Sequence, residues 1–160
     1  MAHGGKRGGK KADEAPVVIG NPKARHKYEV LERIECGLVL HGPEVKSIRD
    51  GRASLDEGYA RFRNGELWLV GVHIAEYSAR GYAAQEPLRT RKLLLHRREI
   101  DRLRQEVERK GLTLVPLRIY FSARHQAKVE LALARGRKLH DKREALKERD
   151  AKREIARVRR

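Results

Sequence analysis

The chain has 160 residues, with 38 Lys and Arg against 22 Asp and Glu, a formal charge of +16, and 38% of its positions charged. That length allows one domain of ordinary size with appendages, and that surplus of charge points to a polyanionic partner, nucleic acid ahead of an anionic membrane surface. No apolar run approaches the ~20 residues of a membrane span, Val17–Ile19 is too short for a signal-peptide core, and the single Cys36 excludes an intramolecular disulfide, so the chain is expected in the cytoplasm.

Residues 1–20 are rich in Gly and Lys and nearly devoid of large apolar side chains, which predicts a flexible basic arm. Asn21-Pro22 is a turn signal. From Tyr28 the apolar residues Tyr28, Val30, Ile34, Cys36, Leu38 and Leu40 share one parity, broken by Glu32, against Glu29, Arg33 and Glu35. That alternation predicts a long strand with one wet face. His41-Gly42-Pro43 ends it, Pro43 suits a first helical position, and the segment 44–51 reads as two helical turns closed by Gly51.

Residues 59–63 and 66–70 flank Asn64-Gly65, the dipeptide of a tight hairpin turn. Val72 and Ile74 suggest a short further strand, and 77–91 reads as a long exposed loop. An amphipathic helix is expected over 97–110, with Ile100, Leu103 and Val107 inward and Gly111 at its C-terminal cap. Two strands follow. Thr113, Val115, Leu117, Ile119 and Phe121 share one face of the first; Ala127, Val129, Leu131 and Leu133 share one face of the second, against Lys128 and Glu130.

The last segment, 136–160, is strongly basic and built of helix formers, but its sizeable apolar residues Leu139, Leu146, Ile155 and Val158 form no continuous stripe. It cannot bury enough apolar area to offset its ordering entropy, so a tail disordered when free and helical on a polyanion is expected. A plain solvated helix is the simpler alternative. The whole predicts a mainly β fold with two helices, an OB-like β-barrel over 21–135 between a basic arm and the 136–160 tail. A split sheet covered by the helix fits the same pattern.

The seven histidines are scattered and one Cys makes no zinc site, so neither a metal nor another cofactor is expected. Phosphate-loop and nucleophile-elbow motifs are absent. The His and Lys that ribonuclease chemistry uses occur in any basic chain, and no enzyme or small-molecule substrate is expected. Aromatic residues are only 5% of the chain. Phe62, Trp68 and Phe121 lie on apolar parities, leaving Tyr77 and Tyr82 as the candidates for stacking on bases. Many cations with few rings favour recognition of a folded RNA by phosphate contacts and shape.

Four segments in order, 21–26 (NPKARH), 44–49 (EVKSIR), 91–96 (RKLLLH) and 136–143 (GRKLHDKR), resemble the motifs of the SsrA-binding protein family (small protein B, SmpB), and the likeness runs from Asn21 to the C-terminus. The resemblance implies an OB-like barrel that binds the tRNA-like domain of transfer-messenger RNA (tmRNA) and accompanies it into stalled bacterial ribosomes, standing in for the anticodon arm. A single copy is expected in the RNA complex. It implies a tmRNA surface including Asn21, Glu35 and Leu94, with Lys23, Arg25, Lys46 and Arg91 adding charge. A carboxylate such as Glu35 repels RNA unless it accepts a base amino group; as a plain surface group it would pair with an Arg such as Arg33.

The likeness also implies a decoding-centre segment from Gly136, Arg137, Lys138, His140, Asp141, Lys142 and Arg143 on the small ribosomal subunit and its RNA. There Gly136 releases the chain from the last strand, His140 stacks on a base, Lys142 and Arg143 meet phosphates, and Asp141 caps the tail helix. Arg137 stands where the family often has Lys. The distal tail has no aromatic residue and offers Ile155 and Val158 as apolar anchors. An intrinsic ribosomal protein with a barrel and a basic extension is the alternative reading.

Overall fold

Asn64 and Gly65 take positive φ, 51° and 74°, and turn β4 (Tyr59–Arg63) directly into β5 (Glu66–Val70) in the register a two-residue loop requires. The computed structural model describes residues 16–77, 85–137 and 139–158, with 139–145 described by backbone alone. Around that hairpin the chain runs β1 (Val18–Gly20), α1 (Ala24–Lys27), β2 (Tyr28–Leu38), α2 (Gly42–Arg49), β3 (Ala53–Ser54), then β4 and β5, β6 (His73–Ile74), β7 (Arg91–Leu94), α3 (Arg97–Lys110), β8 (Thr113–Phe121), β9 (Ala127–Gly136) and α4 (Leu139–Val158).

The strands pair antiparallel in the order β8-β4-β5-β7-β2-β9, and β9 pairs again with β8, so the sheet closes on itself as a six-stranded barrel. Closure removes the sheet edges that would otherwise expose unpaired backbone. β1 adds outside the ring, on β8, so the last three residues of the segment read as a flexible arm belong to the sheet. Ile19 there is buried in the core, which a composition reading dominated by Gly and Lys cannot register.

The core holds Ile34, Cys36, Leu67, Leu69, Leu93, Leu114, Ile119, Val129 and Leu131 from the strands, with Ile48 from α2 and Leu103 from α3. Each fully buried Leu or Ile contributes about 1.5–3 kcal/mol by leaving water. α3 follows its expected limits, with Ile100 and Leu103 inward and Gly111 left-handed at its end.

Two bulges change which residues face inward. The register of β2 against β9 shifts between Val30 and Glu32, and that of β8 against β9 shifts between Pro116 and Arg118. One extra residue in a strand turns every later side chain to the opposite face. The single apolar parity read over 28–40 is therefore divided: Ile34, Cys36 and Leu38 enter the barrel core, whereas Tyr28 and Val30 join Val115, Leu117, Ala132 and Ala134 in a second cluster. The face read over 113–121 divides likewise, with Ile119 inside and Val115 and Leu117 in that second cluster.

β7 is a strand where an exposed loop was expected to reach Arg91. Arg91 is completely buried. Its Nε donates to Glu44 of α2, also completely buried, while Nη1 and Nη2 donate to the carbonyls of Val72 at 2.9 Å and Pro87 at 3.0 Å. Arg89 donates to the other Glu44 oxygen, which also accepts from the His41 N–H at 2.9 Å. Burial by itself would raise the Glu44 pKa, but hydrogen bonds from Arg89, the His41 N–H and Arg91 reverse that and hold it below its usual value.

Candidate nucleic-acid interface

Beyond the bulges the outer face of β2, β9 and β8 carries Arg33, Glu35, Glu130, Arg118 and Tyr120, because their neighbours Ile34, Val129, Leu131 and Ile119 point into the barrel. Glu35 lies opposite Glu130, and Glu130 opposite Arg118. Glu130, mostly buried, accepts from Arg33 Nη1 at 3.1 Å and from Arg118 Nε at 2.7 Å. The Arg118 guanidinium also covers the Tyr120 ring, 4.9 Å from its centroid, and the Tyr120 hydroxyl donates to Glu35. Burial, and then the hydrogen bond to the Glu35 carboxylate, push the Tyr120 phenol up to about 12, so it remains a proton donor throughout the neutral range.

The expected surface partner of Glu35 is thus not Arg33, which turns to Glu130. None of Arg33, Arg118, Tyr120 and Glu130 was singled out from the sequence as a site residue. Arg33 and Glu130 stand on the polar parities read for their strands, but the pairing joins positions up to 97 residues apart.

A cleft of about 790 Å³ runs beside this ladder, bounded by the barrel face, α1 and α4. Arg25, His26, Arg33, Arg118, Arg137 and Arg149 line it, against the carboxylates of Glu130 and Glu148. Guanidinium forks match phosphate oxygens in geometry as well as charge, so a phosphate backbone is the anion such a cleft suits. Arg149 of α4 contacts the His26 ring, which sets α4 against α1.

Asn21 lies in the wall of the cleft but is itself buried. Its Nδ2 donates to the carbonyls of Pro116 at 2.9 Å and Leu55 at 3.3 Å, and its N–H donates to Leu117 O at 2.9 Å. Oδ1 is buried with no partner among the described residues. Asn21 therefore does more than initiate a turn, since it ties the start of α1 to β8 at the bulge. Arg25 is exposed on α1. Lys23, also exposed, pairs with Asp56 at 3.3 Å.

Leu94 is exposed and stands opposite Gly37 across β7 and β2. A Cβ on Gly37 would come within 3.1 Å of Leu94 Cβ, so the missing side chain is what lets Leu94 lie against the β2 backbone. Gly37 is two residues from Glu35, which puts Leu94 and Glu35 on neighbouring parts of one face. Lys46 is placed elsewhere: on α2 its ammonium sits 5.3 Å from the centre of the Tyr77 ring. Arg91 has to be withdrawn from the surface set, because its guanidinium is enclosed with Glu44. Tyr82 lies outside the described residues.

In the tail segment, Gly136 does not release the chain. It remains paired with Tyr28, and its φ is not among the positive values. Arg137 extends the tie, its N–H donating to Lys27 O at 2.9 Å and its Nε to Tyr28 O at 3.2 Å. Lys138 lies outside the described residues. α4 begins at Leu139, so Asp141 sits inside the helix and not at its cap. His140, Lys142 and Arg143 follow on the same first turns of backbone. Ile155 is exposed on α4, as are Leu146 and Val158. Among the described residues, no cluster of three His, Cys, Asp or Glu is placed to hold a metal ion, and no helix is long and apolar enough to cross a membrane.

The chain matches the family model described as SmpB protein over residues 18–160. It is 57% identical over 141 residues to the SsrA-binding protein of Solidesulfovibrio magneticus, covering 88% of this chain and 91% of that one. It is 55% identical over 142 residues to the SsrA-binding protein of Chelativorans sp., covering 89% and 92%. A solved chain described under "tmRNA-SmpB: a journey to the center of the bacterial ribosome" superposes with a TM-score of 0.66 at 51% identity, covering 81% of this chain and 94% of that chain.

Proposed function

The chain belongs to the SmpB family, and from that membership we infer that it is the RNA-binding adaptor of trans-translation: it binds tmRNA and brings it to stalled bacterial ribosomes. The tRNA-like domain of that RNA is the part the barrel holds, and the protein stands where an anticodon arm would. The observation that supports this most is the arginine-lined cleft beside the outer face of β2, β9 and β8. Phosphates entering it release counterions, which favours binding at low salt and makes affinity fall as salt rises. Asn21, Arg25, Glu35 and Leu94 border the cleft or share its face, and Lys23 adds charge beside α1. Lys46 with Tyr77 forms a separate contact point on α2.

The tail acts on the ribosome. Over 146–158 α4 presents Leu146, Ile155, Val158 and its cations to solvent, with no buried apolar stripe among those described side chains. Such a helix is suited to a groove of ribosomal RNA, with Arg137, Lys138, His140, Asp141, Lys142 and Arg143 at the decoding centre and Ile155 further along the empty messenger channel. No bond is made or broken by the protein in this role; it positions RNA. An adaptor that acts on bacterial ribosomes works in the cytoplasm.

Titrating a tRNA-like-domain transcript with the protein at several salt concentrations tests the reading. Saturable binding whose affinity declines linearly with salt on logarithmic axes is expected. Affinity indifferent to salt, or equal affinity for any RNA of the same length, would remove its basis.

A further inference from the structure

Glu35 and Glu130 face each other across β2 and β9, and two carboxylates directly opposed on a sheet repel. The surrounding charges are not shared between them. Arg33, two residues before Glu35 on the same face, turns to Glu130, and so does Arg118 from the other side. Glu130 therefore holds both cations, and Glu35 has only the neutral Tyr120 hydroxyl, on Oε2. Among the described residues no Lys or Arg pairs with Glu35. The arrangement leaves Glu35 held by one oxygen, with Oε1 unengaged among the described residues, on a face that otherwise suits phosphates.

We infer that Glu130 and Tyr120 are positioning residues for RNA recognition: Glu130 withholds Arg33 and Arg118 from Glu35, and Tyr120 fixes the Glu35 carboxylate so that Oε1 accepts from the exocyclic amino group of a nucleobase. This rests on the RNA-binding reading above, in which Glu35 belongs to the RNA surface, and adds to it the two residues that prepare that carboxylate. An amino group, present on cytosine, adenine and guanine and missing from uracil, is the base feature a lone carboxylate recognises. A carboxylate already bridged to arginine would offer a weaker acceptor, and an unanchored one would lose side-chain freedom on binding. Arg118 serves both halves of the device, since it bonds Glu130 while covering the Tyr120 ring.

The test uses full-length protein with two probes, a tRNA-like-domain transcript and poly(U), which carries no amino donor. In the wild-type background Tyr120→Phe should weaken transcript binding about three- to tenfold, the span of one ordinary hydrogen bond. In a Glu35→Gln background the same change should do nothing further, and in neither should it alter binding to poly(U). Glu130→Gln adds one net positive charge and frees two arginines, so it should weaken transcript binding while leaving poly(U) binding equal or tighter. Thermal unfolding of each variant is followed alongside. Equal losses for Tyr120→Phe in both backgrounds, a silent Glu35→Gln, or parallel losses on both probes for Glu130→Gln would overturn the assignment. Wild-type protein that prefers neither probe would instead overturn the RNA-adaptor reading itself, and this inference with it.

Discussion

Glu44 and Arg91 meet with neither side chain exposed to solvent, joining α2 to β7 across 47 residues of sequence. A buried charge that loses its partner is costly, so the pair is a lock between two elements that share no backbone hydrogen bonds. Removing either group by Glu44→Ala or Arg91→Ala should lower the unfolding free energy by about 3–5 kcal/mol. Urea denaturation measures it; a loss below about 1 kcal/mol would show that water reaches the pair and screens it.

The same lock predicts an acid dependence. Folding depresses the Glu44 pKa below the usual 4.5, so the unfolded chain takes up its proton first as pH falls. The stability due to Glu44 is complete above that usual value and is lost as pH falls through the lower folded one. Unfolding free energy measured from neutral pH downward should therefore drop below about pH 4.5 more steeply in the wild type than in Glu44→Gln. Identical acid limbs in the two proteins would contradict this.

Asn21 offers a way to separate fold from recognition at one residue. Asn21→Ala strips a donor from the carbonyls of Leu55 and Pro116 and should cost about 1–3 kcal/mol. A stable variant with reduced RNA affinity would mean that Oδ1 acts on RNA directly. A destabilised variant that binds RNA normally at low temperature would confine Asn21 to holding α1 on the β8 bulge.

Gly37 should behave differently. Gly37→Ala brings a methyl to within 3.1 Å of Leu94 Cβ, which no rotamer change moves, so β7 must shift by a few tenths of an ångström against β2. Stability should change by less than about 1 kcal/mol, while RNA affinity falls if Leu94 contacts the nucleic acid from its present position. The thermal midpoint and an RNA titration on the same sample decide it.

The parts of this fold legible in the sequence carry their own local chemistry. Asn64-Gly65 specifies a hairpin turn whatever surrounds it, and Ile100, Leu103 and Gly111 set both the face and the end of α3. β7 was illegible because Arg91 looks like a surface cation until Glu44 is seen beside it. The extra residues at Leu31 and Leu117 were equally hidden, since alternation reads the same with or without a bulge, and only cross-strand register shows that Val30 and Ile34 face opposite ways. For the interface, the sum of charge pointed to RNA, whereas its placement depended on Glu130 gathering Arg33 and Arg118 from two other strands.

The division of labour between barrel and tail is tested most directly by truncating the chain after Lys138, which keeps the Arg137 bonds to Lys27 and Tyr28 and removes α4. tmRNA binding and peptide tagging on stalled ribosomes would be measured with the same preparation. Among the described residues Arg149 is the α4 cation in the cleft, and its exposed contribution is small and screened by salt. The truncated protein should bind tmRNA nearly as well as the full chain and support no tagging. Loss of binding and tagging together, or tagging that survives without α4, would contradict the account.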